Sequence, residues 1–303
     1  MTNFIEHAPR TPWPDNFPDV VSFCNTSDRD HLRSYHWAKY KKDPRQAEIL
    51  MGDIAKRKDF TATINKLKDL SATKNVIIVP IHSIELKSKD RKNTIAGSNP
   101  IPLQMALTIS DHTGWGIDTD IVQKNIAGHT GANNFTRFAY PTLFDGKVKE
   151  GQQYLIVDDH VSMGGTVANC RGHIEQNGGK VIGISSLTTT RSGVCVRLSS
   201  RSKNTLSNSE NFSTMGCHLG LFEKILGYDL DCLTNPEATQ IIYTIKSKRE
   251  NNSKYCLQSF FDDVIESRNK TKLEVLKQNK LGYMIQRFVT PLTEALKFRR
   301  HHA

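Results

Sequence analysis

The amino-acid sequence predicts an α/β fold: a parallel sheet flanked by helices, with a helical N-terminal cap and a helical C-terminal extension. Three observations carry that prediction. Short apolar runs of strand length alternate with segments of helical periodicity over residues 73–198, the order that builds successive parallel strands into one sheet. Apolar residues at helical spacing among charges dominate residues 1–72 after a proline-rich start, and the same texture returns over residues 199–303 as strand signals fade. At 303 residues the chain is long enough to bury a full core as one large domain or two modest ones.

In chain order, Asp28 to Lys41 and Asp43 to Leu70 have helical spacing and form the predicted cap. Asn75 to Val79 is a strand, followed by a long polar loop, a helix over Leu103 to Ser110 and a short strand over Ile121 to Gln123. Tyr154 to Val157 is an apolar run of strand length. A glycine-rich turn and a helix over Val167 to Asn177 come next. Asn177-Gly178-Gly179 ends that helix, and Lys180 to Leu187 returns as a strand. Ser199 to Ser213, rich in Ser, Asn and Lys, reads as a loop or linker. Amphipathic stretches follow at Leu219 to Leu226, Pro236 to Lys246, Ser259 to Arg268 and Lys272 to Leu296.

Chemistry concentrates in Tyr154-Leu-Ile-Val-Asp-Asp-His-Val-Ser-Met-Gly-Gly-Thr166. The strand delivers Asp158 and Asp159 to a sheet edge, where open α/β sheets bind ligands. Backbone N–H groups of Ser162, Met163, Gly164, Gly165 and Thr166 can wrap a phosphate, because two glycines allow backbone angles that a side chain forbids. The positive end of the next helix faces the same anion. Two carboxylates repel phosphate, so their partners are neutral hydroxyls or a divalent cation. A ribose 5-phosphate satisfies both halves of the motif.

At these residues the chain resembles the type I phosphoribosyltransferase family, whose signature is four apolar residues, two acidic, two apolar, then a small-residue turn ending in Thr or Ser. The resemblance implies a phosphoribosyltransferase-like parallel sheet. It also implies that Asp158 and Asp159 hold the ribose hydroxyls of phosphoribosyl pyrophosphate together with Mg2+, and that Ser162 to Thr166 hold the 5-phosphate. His160 replaces the usual aliphatic residue, and Met163 replaces a usual Ser or Thr. These departures resemble a branch found in mobile elements and beside retron reverse transcriptases. The activity implied is transfer of phosphoribose to a nitrogen acceptor with release of pyrophosphate. Branch context implies alternatives: a toxin or phage-defence effector acting on a nucleotide or nucleic acid, or a nucleotide sensor without catalysis.

Two further loops are candidate parts of the site. After the first core strand, His82, Ser83, Ser98 and Asn99 flank a polar loop whose backbone amides suit a pyrophosphate; Lys87 to Lys92 in its middle read as a solvated charged run. The family places a mobile hood just before the signature strand, here Gly128 to Tyr140. Arg137 is its first candidate donor to the leaving diphosphate, since a guanidinium can clamp phosphate bidentately, and His129 is the second. Cys170 has no base placed beside it by spacing and is read as structural.

Composition bounds the rest. The formal charge of +10 favours anionic partners, so nucleic acid or a reverse-transcriptase complex joins phosphoribosyl pyrophosphate on the list of partners, although basic and aromatic residues show no recognisable recognition motif. The six cysteines include no Cys-x-x-Cys pair, which argues against a zinc site or a disulfide scaffold. No apolar run reaches the roughly 18 residues a membrane span needs, and the expectation is a cytoplasmic protein with no membrane partner and a homo-oligomer within reach.

Overall fold

The computed structural model describes residues 7–30, 32–73, 75–81, 99–125, 134–207 and 220–270. Its centre is a five-stranded, wholly parallel sheet in the order β1-β7-β6-β2-β3, formed by β1 (Val21–Ser22), β2 (Val76–Pro80), β3 (Gly116–Ile117), β6 (Gln153–Val161) and β7 (Lys180–Thr189). Strand order reverses direction between β2 and β6. The crevice beyond their carboxyl ends is the place where such sheets take ligands.

Helices cover both faces. On one side lie α1 (Thr26–Asp30), α2 (Arg33–Lys41), α3 (Pro44–Ala55), α4 (Phe60–Lys68) and α5 (Ile101–Thr113). Leu50, Met51 and Ile54 of α3, Ile64 and Leu67 of α4 and Met105 and Ile109 of α5 enclose Ile78, Leu155 and Val157 from the sheet. The Asp43 carboxylate accepts the Arg45 and Gln46 N–H groups at 2.9 and 3.4 Å, and Pro44 in the first turn loses no hydrogen bond, so α3 starts where the α2 helix has ended. Lys42 closes α2 in the left-handed region at φ 58°, at the break the sequence places between Lys41 and Asp43.

On the other side α7 (Gly165–Gln176) packs Val167, Cys170 and Ile174 against Tyr154, Ile156 and Ile184. The N-terminal segment runs across this helix. Gly172 is required there, because a Cβ would sit 2.0 Å from the Pro9 carbonyl oxygen. Arg171 fixes the crossing with hydrogen bonds to the carbonyls of Thr11 at 3.1 Å and Pro12 at 2.9 Å.

The structure departs from the sequence expectation at three elements. Val21–Ser22, within the helical cap expected over residues 1–72, is an edge strand on β7. The strand expected at Ile121 to Gln123 is β4 (Val122–Gln123), and it pairs antiparallel with β5 (Phe144–Asp145) outside the main sheet. Part of the expected Ser199 to Ser213 loop is helix α8 (Ser200–Ser207), which buries Ser202 and Leu206. Beyond it lie α9 (Gly220–Leu226), a 3-10 turn (Leu230–Cys232), α10 (Asn235–Arg249) and α11 (residues 257–270). They build a second core around Phe222, Leu233, Ile241, Phe260 and Phe261, which also takes Phe138 from α6 (Asn134–Ala139). The helix expected at Lys272 to Leu296 lies outside the described residues.

Candidate functional site

Strand β6 runs further than its apolar run. Backbone pairing with β7 continues through Asp158↔Ser186 and His160↔Thr188 to Val161, so both aspartates sit inside the strand rather than after it. Side chains alternate along a strand. Asp158 therefore shares the α7 face with Tyr154 and Ile156, and Asp159 shares the α2 face with Leu155 and Val157.

That alternation gives the two carboxylates different surroundings. Asp158 lines a small cleft of about 60 Å³, partly open to solvent, together with the whole turn Ser162 to Thr166. Asp158 Oδ1 accepts the Asp159 N–H at 2.8 Å. Burial first, then the adjacent Asp159 charge, push the Asp158 carboxyl well above the usual carboxylate range. Asp159 is buried and its Oδ2 lies 2.6 Å from the Lys39 ammonium of α2. Tyr35 shares the neighbourhood, with its ring 5.7 Å from the Lys39 ammonium.

His160 also reaches the cleft, and its Nδ1 lies 2.7 Å from Thr188 Oγ1. Burial, then the Arg29 charge, lower its pKa, so the neutral ring is favoured. Cys170 is fully buried in α7 and burial drives its thiol far up, in agreement with a structural role.

The turn takes the shape expected of an anion cradle. Gly164 occupies the left-handed region at φ 77° and immediately precedes α7, whose first N–H groups open toward the cleft. The same turn is clamped from the C-terminal side: Thr234 Oγ1 donates to the Met163 carbonyl at 2.5 Å, and the Met163 side chain packs on the C-terminal helical core. Thr234 also opens α10 with a capping box closed by Glu237. Above Gly165 lies the Glu237 carboxylate, 2.7 Å from where a Cβ would stand. Arg10 holds that carboxylate through both terminal nitrogens at 2.6 and 2.8 Å and donates from Nε to Asn169 Oδ1 at 2.6 Å. Burial alone would depress the Arg10 pKa, but the Glu237 charge outweighs it and the guanidinium stays protonated.

Of the hood, α6 is described. Arg137 Nη1 makes a long 3.5 Å hydrogen bond to Ser162 Oγ, and Arg137 lines the cleft. Asn99 lies away from the cleft and accepts the Ile101 N–H at 3.2 Å at the start of α5. His82, Ser83, Ser98 and His129 lie outside the described residues. Thus Asp158, Ser162 to Thr166 and Arg137 come together, while Asp159 and Asn99 face elsewhere. Four cleft residues carried no local signal in the sequence: Arg10, Tyr228, Glu237 and Arg268. The sequence reading began this helix at Pro236, and nothing in Thr234-Asn-Pro-Glu237 points to the Ser162 to Thr166 turn about 70 residues earlier.

Among the described residues, no group of three or more His, Cys, Asp or Glu side chains converges as a metal cage. Among the described residues, Asp158 is the one carboxyl lining the cleft that is not already held by an arginine. One carboxyl does not make a metal cage, so a magnesium ion there would have to be carried largely on substrate oxygens.

No protein-family model matches the chain. It is 33% identical over 231 residues to Protein TraN of Escherichia coli, an alignment covering 76% of this chain and 47% of that protein. It is 32% identical over 165 residues to an uncharacterized protein of Haemophilus influenzae, covering 54% of this chain and 34% of that one. The chain therefore spans half or less of the curated relatives it matches. Among solved structures it is similar to adenine phosphoribosyltransferase from Saccharomyces cerevisiae, with TM-score 0.27 and 16% identity over 44% of this chain and 70% of that one. It is also similar to Leishmania donovani UMP synthase, with TM-score 0.24 and 16% identity over 70% of this chain and 34% of that one. The functional reading rests on the cleft residues themselves.

Proposed function

We propose that the chain is a phosphoribosyltransferase-like enzyme that binds phosphoribosyl pyrophosphate with magnesium and transfers phosphoribose to a nitrogen acceptor, releasing pyrophosphate. One observation carries the reading: Asp158 and the Ser162 to Thr166 turn share one cleft at the carboxyl end of β6, a carboxyl beside a glycine turn that opens a helix. The N–H groups of the turn and the start of α7 would hold the 5-phosphate. Asp158 would accept or share hydrogen bonds with the ribose hydroxyls, and Arg137 would screen the departing diphosphate. In the reaction the acceptor nitrogen forms a bond to the anomeric carbon as the bond from that carbon to the pyrophosphate oxygen breaks. Positive charge gathers on the ribose ring while negative charge gathers on the diphosphate, so fixed charges and excluded water lower the barrier. Magnesium, when bound, supplies charge neutralisation on the diphosphate.

Calorimetric titration of phosphoribosyl pyrophosphate in the presence of magnesium tests this. Wild type is expected to bind, and Asp158→Ala to bind at least tenfold more weakly, a loss of about 1.4 kcal/mol. Absence of binding by wild type, or unchanged binding in the Asp158→Asn/Asp159→Asn double variant, would sink the proposal.

A second reading, in which nucleic acid is the acceptor or a partner, is favoured by the outer face of α2. Arg33, His36, Trp37, Tyr40 and Lys41 lie exposed on it, with Trp37 and Tyr40 43% and 59% exposed and His36 stacked on Tyr40. Aromatic rings among cations are the means by which proteins stack on single-stranded bases and follow a backbone. Such a face forms only when helical spacing gathers these residues. Salt-sensitive binding of a labelled single-stranded oligonucleotide is its test.

A further inference from the structure

We infer that Arg268, on the C-terminal helix α11, is a substrate-binding residue that contacts the phosphate monoester held by the Ser162 to Thr166 turn. This rests on the phosphate reading of that turn. Arg268 lines the same cleft as Ser162, Gly164 and Arg137, although it lies about a hundred residues further along the chain. Its position is fixed from three sides: Nε donates to the Ala139 carbonyl at 3.2 Å, Nη2 donates to the Ile225 carbonyl at 3.2 Å, and its own carbonyl accepts the Tyr140 hydroxyl at 2.6 Å. The two carbonyls orient the guanidinium without neutralising it. Among the described residues no carboxylate pairs with Arg268, and the ionisable groups acting on it are the hydroxyls of Tyr140 and Tyr228.

A half-buried cation beside an anion cradle, with two of its five N–H groups committed to carbonyls, is an open anion site. Burial lowers its pKa, the expected cost of a charge waiting for its counter-ion. Charge arithmetic supports the assignment. A phosphate monoester carries about two negative charges at neutral pH, whereas a helix N-terminus offers roughly half a positive one. Arg10 cannot close that gap, because Glu237 already occupies it. Arg268 supplies one of the roughly one and a half positive charges still needed, from the side of the C-terminal helices. The C-terminal segment would then belong to the substrate site itself, and the cleft would select dianionic phosphate over a neutral sugar.

The competing role is purely structural: Arg268 tying α11 to α6 and α9 through carbonyls. The two roles separate in solution. With the full chain, Kd for ribose 5-phosphate is measured by calorimetry at two salt concentrations for wild type, Arg268→Gln and Arg268→Lys, with thermal unfolding recorded for each. The expected result is at least a tenfold loss of affinity in Arg268→Gln with a smaller salt dependence, and a partial recovery in Arg268→Lys. A structural role would lower the unfolding temperature while leaving Kd and its salt dependence at wild-type values, and that outcome overturns the inference. Should Arg268→Gln fail to fold, Arg268→Lys takes its place: a loss of threefold or more is expected, and an unchanged Kd overturns. If wild type binds inorganic phosphate but not ribose 5-phosphate, the sugar reading fails while Arg268 is judged by the same variants with inorganic phosphate as the probe.

Discussion

At the scale of single residues, two adjacent aspartates of identical chemistry have been given different tasks by the alternation of a strand. Asp158 faces the cleft and Asp159 faces Lys39. The acid pair was plain in the sequence; that the strand continues through it was not, because polar side chains end an apolar run while the backbone ladder to β7 goes on. Met163 shows the same limit, since its side chain packs on a C-terminal core that only the fold brings beside it. Asp158 also carries a pH prediction. Its folded-state pKa is raised above the unfolded value of about 3.9, so the fold prefers the neutral carboxyl. The stability from this group is fully present below about pH 4 and is lost as pH rises through the folded-state pKa. Asp158→Asn, always neutral, should therefore melt about 2 °C or more above wild type at pH 7, the shift that roughly 1 kcal/mol produces in a large domain. The difference should close by pH 4. Equal melting at pH 7 would show that the carboxyl is ionised there at no cost.

Elements were legible where one strong period or one cap decided them. The α3 helix announced itself through Asp43-Pro44 and α7 through the glycines before it. The β1 strand was not legible, because two residues carry no pattern and exist as a strand only through their pairing with Ser185 and Ser186. Helix α8, composed as SRSKNTLS, has weak intrinsic preference and is held by burying Ser202 and Leu206 beside α10. The α2 helix divides its faces: Tyr35 and Ala38 go to the core, while Trp37 and Tyr40 stay in water with Arg33 and Lys41. A Trp37→Ala/Tyr40→Ala variant should keep its thermal stability, since neither ring is buried. Its affinity for a labelled single-stranded oligonucleotide should fall at least tenfold if two bases stack there, at about 1–3 kcal/mol each. Equal affinity in variant and wild type would remove α2 from any nucleic-acid surface.

For the whole molecule, the decisive contact is the buried Arg10–Glu237 pair with Asn169, which joins the N-terminal segment, α7 and the C-terminal helices at the back of the phosphate turn. Arg10→Met leaves Glu237 buried and unpaired and should cost about 3–5 kcal/mol in denaturant unfolding. Adding Glu237→Gln should restore a good part of that loss, because the unpaired charge is gone. A single variant within about 0.5 kcal/mol of wild type would mean that water reaches the carboxylate. By itself the sequence determined the α/β class, the strand that carries the acids and the glycine turn that opens α7, because these depend on residues close together in the chain. Tertiary structure alone decided that Asp158 and not Asp159 meets the cleft, and that Arg10, Glu237 and Arg268 surround the turn. Those contacts join segments distant in the chain, 159 residues apart for Arg10 and Asn169 and 227 for Arg10 and Glu237, or depend on which face of a sheet is covered, and no local spacing encodes either.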